Sequence, residues 1–334
     1  ALIEHLKTLS KTEEHMSNNK NKGEWTELYT FLKLINDRKL PLSDENLNIK
    51  ENSDHFIVTK VTTLNIKESF YLSKDNCVLI KNESDDSEKE IEFSNFLNAS
   101  VLKSLADSIV AGSKTFNIPA FNKIQDKLGL SIINGGNSNQ KADIVLDINN
   151  KEISKSNQGF GIKSYLGSKP TLLKASGNTN FIFEITGIRA DCIDIVNNID
   201  TKTKLKDRIE KIHELNGRFN FKKIETESMH YNLSMVDSLI PNIVPSMLLE
   251  FYLHRTSSIK LNLKSIFNKG HSFDTDLQSL EVKIKRLLVS ILLGFFAGKK
   301  WDGKYVANGA IVVKEDGEQV GFHIIDIASL ENYL

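Results

Sequence analysis

Residues 140–163 read Q-K-A-D-I-V-L-D-I-N-N-K-E-I-S-K-S-N-Q-G-F-G-I-K. Two apolar runs flank the polar break N-N-K-E, the pattern of two strands joined as a hairpin. Asp143 stands at the start of the first strand, beside Ala142, Ile144 and Val145, and Lys163 lies inside the second, between Ile162 and Ser164. Pairing the strands brings the acid and the lysine together at one end of a sheet. A carboxylate at a buried strand start is costly unless it meets a cation. It can hold a divalent metal, and an adjacent ammonium can steady a phosphate oxygen or a water. Asp147 shares the face of Asp143 by alternation and is the weaker candidate.

This pair is the core of a metal-dependent nuclease site with one piece absent. Two residues before the lysine stands Gly161, where such sites carry Glu or Asp. A substitute carboxylate is available in the segment E-W-T-E-L-Y-T-F-L-K-L-I-N-D at 24–37. Trp25, Leu28, Phe31, Leu32 and Ile35 recur at helical spacing, and Glu27 lies at the edge of that apolar face, one turn before Phe31. Glu24 falls in the first turn, where an acid favours the helix dipole. Asp143 and Glu27 are therefore the expected metal ligands, and Asp143, Lys163 and Glu27 the expected catalytic set.

The surroundings suit a polyanion. The loop before Asp143 supplies Asn137, Ser138, Asn139 and Gln140, whose side chains can bond base edges or phosphates. After the lysine come Ser164, Ser168, Lys169, Thr171, Lys174, Ser176, Asn178 and Asn180, rich in hydroxyl, amide and ammonium donors. Segment 151–174 holds five lysines against the single acid Glu152, and 201–223 is a second basic run. Net charge is nonetheless zero, which argues against an indiscriminate basic coat and leaves local charge to decide.

Other chemistries are less well served. The histidines and the two cysteines, Cys77 and Cys192, show no metal-ligand spacing. No Gly-rich phosphate loop and no Gly-x-Ser-x-Gly elbow is present. Both cysteines sit in apolar runs that read as strands, so buried free thiols are expected. The N-terminus lacks an apolar core, and the apolar run at 287–298 is too short to span a bilayer, so a cytoplasmic protein is expected.

Along the chain, 1–23 reads as a polar helical lead-in and 56–93 as a small antiparallel meander. Helices are expected at 98–110, 121–128, 201–215, 235–253 and 277–296, with Pro241 and Pro245 as kinks in the fourth. The alternating run at 179–187 reads as a third strand of the central block, and the C-terminus as a hairpin turning at E-D-G-E. The fold class is α/β (α+β): a central mixed sheet flanked by helices, with a largely β insertion on its N-terminal side.

Several stretches taken together resemble a known family. They are K-G-E-W-T-E-L-Y-x-F-L-K-L, A-D-I, G-F-G-I-K-S-x-L-G-S-x-P-T-L-L-x-A-S-G-x-T-N-F and F-F-A-G-K-K-W-D-G-x-Y-x-A-N-G. The chain resembles the HpaII family of type II restriction endonucleases from about Lys22 onward. The resemblance implies a restriction-endonuclease-like fold of the PD-(D/E)XK class, with residues 1–21 as an extension and 22–334 as the endonuclease domain. Within that domain it implies a β-rich part at 50–95, a catalytic core at 98–190 and a helical and hairpin part at 200–334. It further implies Mg2+-dependent (or Mn2+-dependent) cleavage of both strands of duplex DNA at a short G/C-containing target such as CCGG. A homodimer on a palindrome and a paired cytosine methyltransferase are implied as well. Asp143 carries over as the metal-binding acid and Lys163 as the motif lysine, while the middle acid falls on Gly161. Two other readings stay open: a monomeric nicking or repair nuclease, and a sequence-specific DNA-binding protein that no longer cuts.

Overall fold

The computed structural model describes residues 19–50, 54–63, 66–73, 76–130, 141–167, 176–254, 258–270, 273 and 275–334. The expected lead-in helix before residue 19, the 134–140 loop and the donors between 168 and 175 lie outside them. The chain divides into two compact units, Ala1–Thr171 with Tyr305–Leu334, and Leu172–Lys304.

The first unit is built on a nine-stranded mixed sheet. Its strands in chain order are β1 (Lys39–Pro41), β2 (His55–Thr62), β3 (Glu68–Leu72), β4 (Cys77–Asn82), β5 (Glu88–Glu92), β6 (Ile144–Asn149), β7 (Ser154–Ser164), β8 (Gly309–Val313) and β9 (Gln319–His323). The spatial order is β9-β8-β7-β6-β2-β3-β4-β5, with β1 also paired to β2. The β6–β7 hairpin forms where the alternation places it. Asn150 closes its turn, accepting through Oδ1 from the Glu152 and Ile153 amides. A bulge follows Leu146, and there Asp147 accepts the amide of Asn157, a residue held at φ 54°. Asp147 thus shapes the hairpin.

Helix α1 (Lys22–Asp37) is opened by Asn21, whose side chain accepts from the Glu24 amide while Glu24 accepts from the Asn21 amide. This reciprocal cap satisfies two donors that the first turn would leave unpaired. Its apolar face is fully buried at Trp25, Leu28, Phe31, Leu32 and Ile35. Trp25 stacks on Phe121 at 5.1 Å and donates its ring N–H to the Phe116 carbonyl. Helices Ala99–Ala111 and Pro119–Leu128 complete the packing around it.

Four expectations need correction. The 56–93 meander is no insertion: β2 pairs directly with β6, so the meander extends the central sheet. The strand Phe181–Thr186 is not its third central partner. That place is taken by β8, which runs parallel to β7 with Gly309 opposite Phe160. The pairing is close, since a Cβ on Gly309 would fall 2.9 Å from the Phe160 ring. Phe181–Thr186 instead pairs with Arg218–Ile224 as a separate two-stranded ribbon in the second unit. Part of the basic run was therefore a strand, recognisable by the alternation of Phe219 and Phe221. The expected 235–253 helix is two, Glu227–Val236 and Ile240–His254, broken at Asp237, whose carboxylate caps Leu239 and pairs with Lys283. Finally, Cys192 ends a 3-10 turn ahead of the short helix Ile193–Asn197; both cysteines are half-buried thiols outside any disulfide.

Candidate active site

The site rests on the mouth of the β6–β7 hairpin. The Asp143 amide donates to the Phe160 carbonyl at 2.9 Å, and the Ile162 amide donates to Asp143 Oδ2 at 2.6 Å. These two ties hold the carboxylate against residues 160–163. Phe160 and Ile162 pack toward the core, so strand alternation turns Gly161 and Lys163 to the opposite face. Asp143 lies on that face too: a Cβ built on Gly161 would sit 3.9 Å from its Oδ2 and 3.0 Å from the Lys141 carbonyl oxygen. The structure thus brings Asp143, Gly161 and Lys163 together, as the hairpin reading requires.

It adds a residue that the motif reading passed over. Lys141 is half-buried, and its ammonium is pushed down to about 8. Burial is the main cause and the charge of Lys163 the next, with Asp143 acting in the opposite sense. Two ammonium groups and one carboxylate therefore share this corner. A phosphate oxygen arriving here would add a further anion for the two ammonium groups to share. The spacing Lys141-x-Asp143 carried this signal, since residues two apart on an extended chain share a face.

Glu27 lies in the opening turns of α1. Its neighbour Thr26 brings its hydroxyl within 3.2 Å of the Ser164 hydroxyl, so α1 meets β7 next to Lys163. That contact is on the Phe160 side of the strand. With Glu24, Glu27 supports the charge of Lys20, a buried lysine whose ammonium is pushed down by burial. Glu27 is thus at the Lys163 end of the sheet, half-buried.

Oxygen donors border the space beside Gly161: the Asp143 carboxylate and the Lys141 carbonyl. Hard oxygen ligands suit Mg2+, which retains several waters and needs only one or two carboxylates. Among the described residues, those at this corner included, no cluster of three or more His, Cys, Asp or Glu side chains gathers as a metal centre.

Of the expected DNA-contacting residues, Ser164 uses its hydroxyl to accept the Leu166 amide and to meet Thr26. Ser176, Asn178 and Asn180 belong to the second unit and are exposed. Ser176 caps the turn Gly177–Thr179, and the Asn180 amide donates to Glu225 at 2.6 Å. Among the described residues no helix is long and apolar enough to cross a membrane.

Comparison with known proteins identifies the family. The chain is 30% identical over 319 residues to the type II restriction enzyme HpaII of Haemophilus parainfluenzae, covering 94% of this chain and 88% of that protein. No solved structure matches. The profile of the HpaII restriction endonucleases matches residues 21–334, nearly the whole chain, and the protein belongs to that family.

Proposed function

We propose that this restriction endonuclease hydrolyses both strands of duplex DNA at a short G/C-containing sequence such as CCGG, in a PD-(D/E)XK site dependent on Mg2+. The observation that carries the reading is the corner shared by Asp143, Lys163 and Lys141, beside Gly161, whose position the Asp143 carboxylate and the Lys141 carbonyl border. A bound cation there supplies charge neutralisation at the phosphate and an acidified water. Asp143 holds it, oriented by the Ile162 amide. Lys163 and Lys141 steady non-bridging phosphate oxygens, and the phosphate in turn relieves their mutual repulsion. Glu27 supplies the second carboxylate that Gly161 cannot. The exposed Ser176, Asn178 and Asn180 contribute phosphate and base-edge contacts. A palindromic target calls for a homodimer with one site per strand, and a cytosine methyltransferase of the same specificity protects the host DNA in the cytoplasm.

The test is digestion of supercoiled plasmid with Mg2+, followed by sequencing of the fragment ends. Discrete linear fragments sharing one terminal sequence support the proposal, and loss of cutting in Asp143→Asn and Lys163→Ala assigns it to this site. Open circles alone would point to a nicking enzyme. Specific binding in Ca2+ without cutting in Mg2+ or Mn2+ would favour the binding-protein reading that Gly161 motivates.

A further inference from the structure

The formal neutrality of the chain conceals a division. Residues 172–304 carry 20 Lys and Arg against 15 Asp and Glu, a net of +5, while the remainder carries 23 against 28, a net of −5. The catalytic corner belongs to the acidic unit. The basic unit contains the ribbon Phe181–Thr186 with Arg218–Ile224, which the catalytic reading leaves without a role.

The two faces of this ribbon differ sharply. On one, Phe183 meets Phe219 and Phe221, with ring centroids 6.3 and 5.7 Å apart, and His213 of the helix Lys204–Glu214 packs on Phe219 at 5.6 Å. That face anchors the ribbon. The other presents Glu184, Thr186, Arg218, Asn220 and Lys222, all exposed. Thr186 stands opposite Arg218 and Glu184 opposite Asn220. The polar groups are pre-ordered: Asn220 Nδ2 donates to Thr186 Oγ1 at 3.1 Å, and Lys222 pairs with Glu184 at 2.7 Å. Arg218 makes no side-chain hydrogen bond or ion pair with any described residue.

We propose that the outward face of this ribbon enters the major groove of the DNA, where Arg218 reads a guanine edge and Asn220 an adjacent base. The inference rests on family membership for its substrate, duplex DNA, and goes beyond it in naming the reading element. A two-stranded antiparallel ribbon is one of the few elements that the major groove admits, and Arg and Asn present bidentate donors and acceptors to guanine and adenine edges. The net positive charge of the unit complements the phosphate backbone. Holding the side chains on a ribbon anchored by aromatic packing lowers the entropy lost on docking.

The test measures binding of two duplexes in Ca2+: one bearing the site found from the fragment ends of the parent protein, and one with that site scrambled. Arg218→Ala should weaken the specific duplex roughly 5- to 150-fold, the range for one base-reading arginine. The scrambled duplex should change less than about twofold, and the dependence on salt should keep its slope, because no phosphate contact is removed. Arg218→Lys, which keeps the charge without the fork, should recover only part of the loss. Equal weakening on both duplexes with a shallower salt slope would make Arg218 a phosphate contact and overturn the proposal. An unchanged specific affinity would overturn it as well, as would a shift in oligomeric state alone, which would make the ribbon a contact between copies. If the parent protein fails to cut, the proposed function itself fails, a result separate from any effect of Arg218.

Discussion

Gly161→Asp asks whether the corner beside Asp143 is a cation position. The glycine is not held in the left-handed region, so its backbone accepts a side chain. The new Cβ would meet the Lys141 carbonyl oxygen at 3.0 Å, tight enough that the main chain must yield by a few tenths of an ångström. It would also stand 3.9 Å from Asp143 Oδ2. Two carboxylates about 5 Å apart at an effective dielectric of about 20 repel by about 3 kcal/mol, and the nearby ammonium groups offset part of that. Without divalent cations the variant should therefore lose about 1–3 kcal/mol of stability. A cation at 100 times its dissociation constant returns about 2.7 kcal/mol. Urea unfolding followed by the fluorescence of Trp25 and Trp301 should show the loss in EDTA and its recovery in Mg2+ or Ca2+. Gly161→Ala carries the same Cβ contact without the charge and should respond to cations as the parent does. If Gly161→Asp is no more cation-sensitive than Gly161→Ala, position 161 does not border a cation site and the argument for Asp143 as its ligand fails.

Asp143→Asn keeps an oxygen that can accept the Ile162 amide, so it should fold normally. Its cutting rate should nonetheless fall by more than the roughly 10- to 100-fold seen for groups that merely orient a metal ligand. Asp143→Ala also strips the acceptor and should cost a further 1–3 kcal/mol or so of stability; equal stability of the two variants would contradict the role given to that bond. Glu27→Gln should slow cutting sharply while specific DNA binding persists, and an unchanged rate would move the second ligand elsewhere. His323 is buried, with Phe56 and Phe160 packed on its ring, and burial, then Lys155, pushes it down to about 4. The unfolded chain takes up this proton near pH 6.5, so the contribution is fully present above that value. It is lost as the pH falls toward 4, by up to about 3 kcal/mol. The parent should therefore lose more stability than His323→Gln between pH 7 and pH 4.5, and parallel urea midpoints would exclude His323 as the source.

Most of what could be read locally was read correctly in kind, the run around Cys192 being the exception. The Asp143–Lys163 hairpin follows from a two-residue period and a polar turn, and α1 from apolar positions at helical spacing. Residues three or four apart, or facing across a tight turn, feel each other through the chain itself. Lys141, two residues before the acid, was readable by the same rule. Its lowered proton affinity was not readable, because burial and the approach of Lys163 come from packing.

The sequence by itself determined the chemistry available: one strand bearing an acid, the next a lysine, a glycine where a second acid would stand, and a helix that carries another acid. Tertiary structure alone decided the company these residues keep. The parallel docking of β8 on β7 and the pairing of Phe181–Thr186 with Arg218–Ile224 join segments distant along the chain. Nothing in either partner names the other, because such pairing is selected by burial and backbone hydrogen bonds summed over the whole sheet. That is why the third strand was assigned to the wrong sheet, and why the basic run at 201–223 leads into one strand of an anchored ribbon.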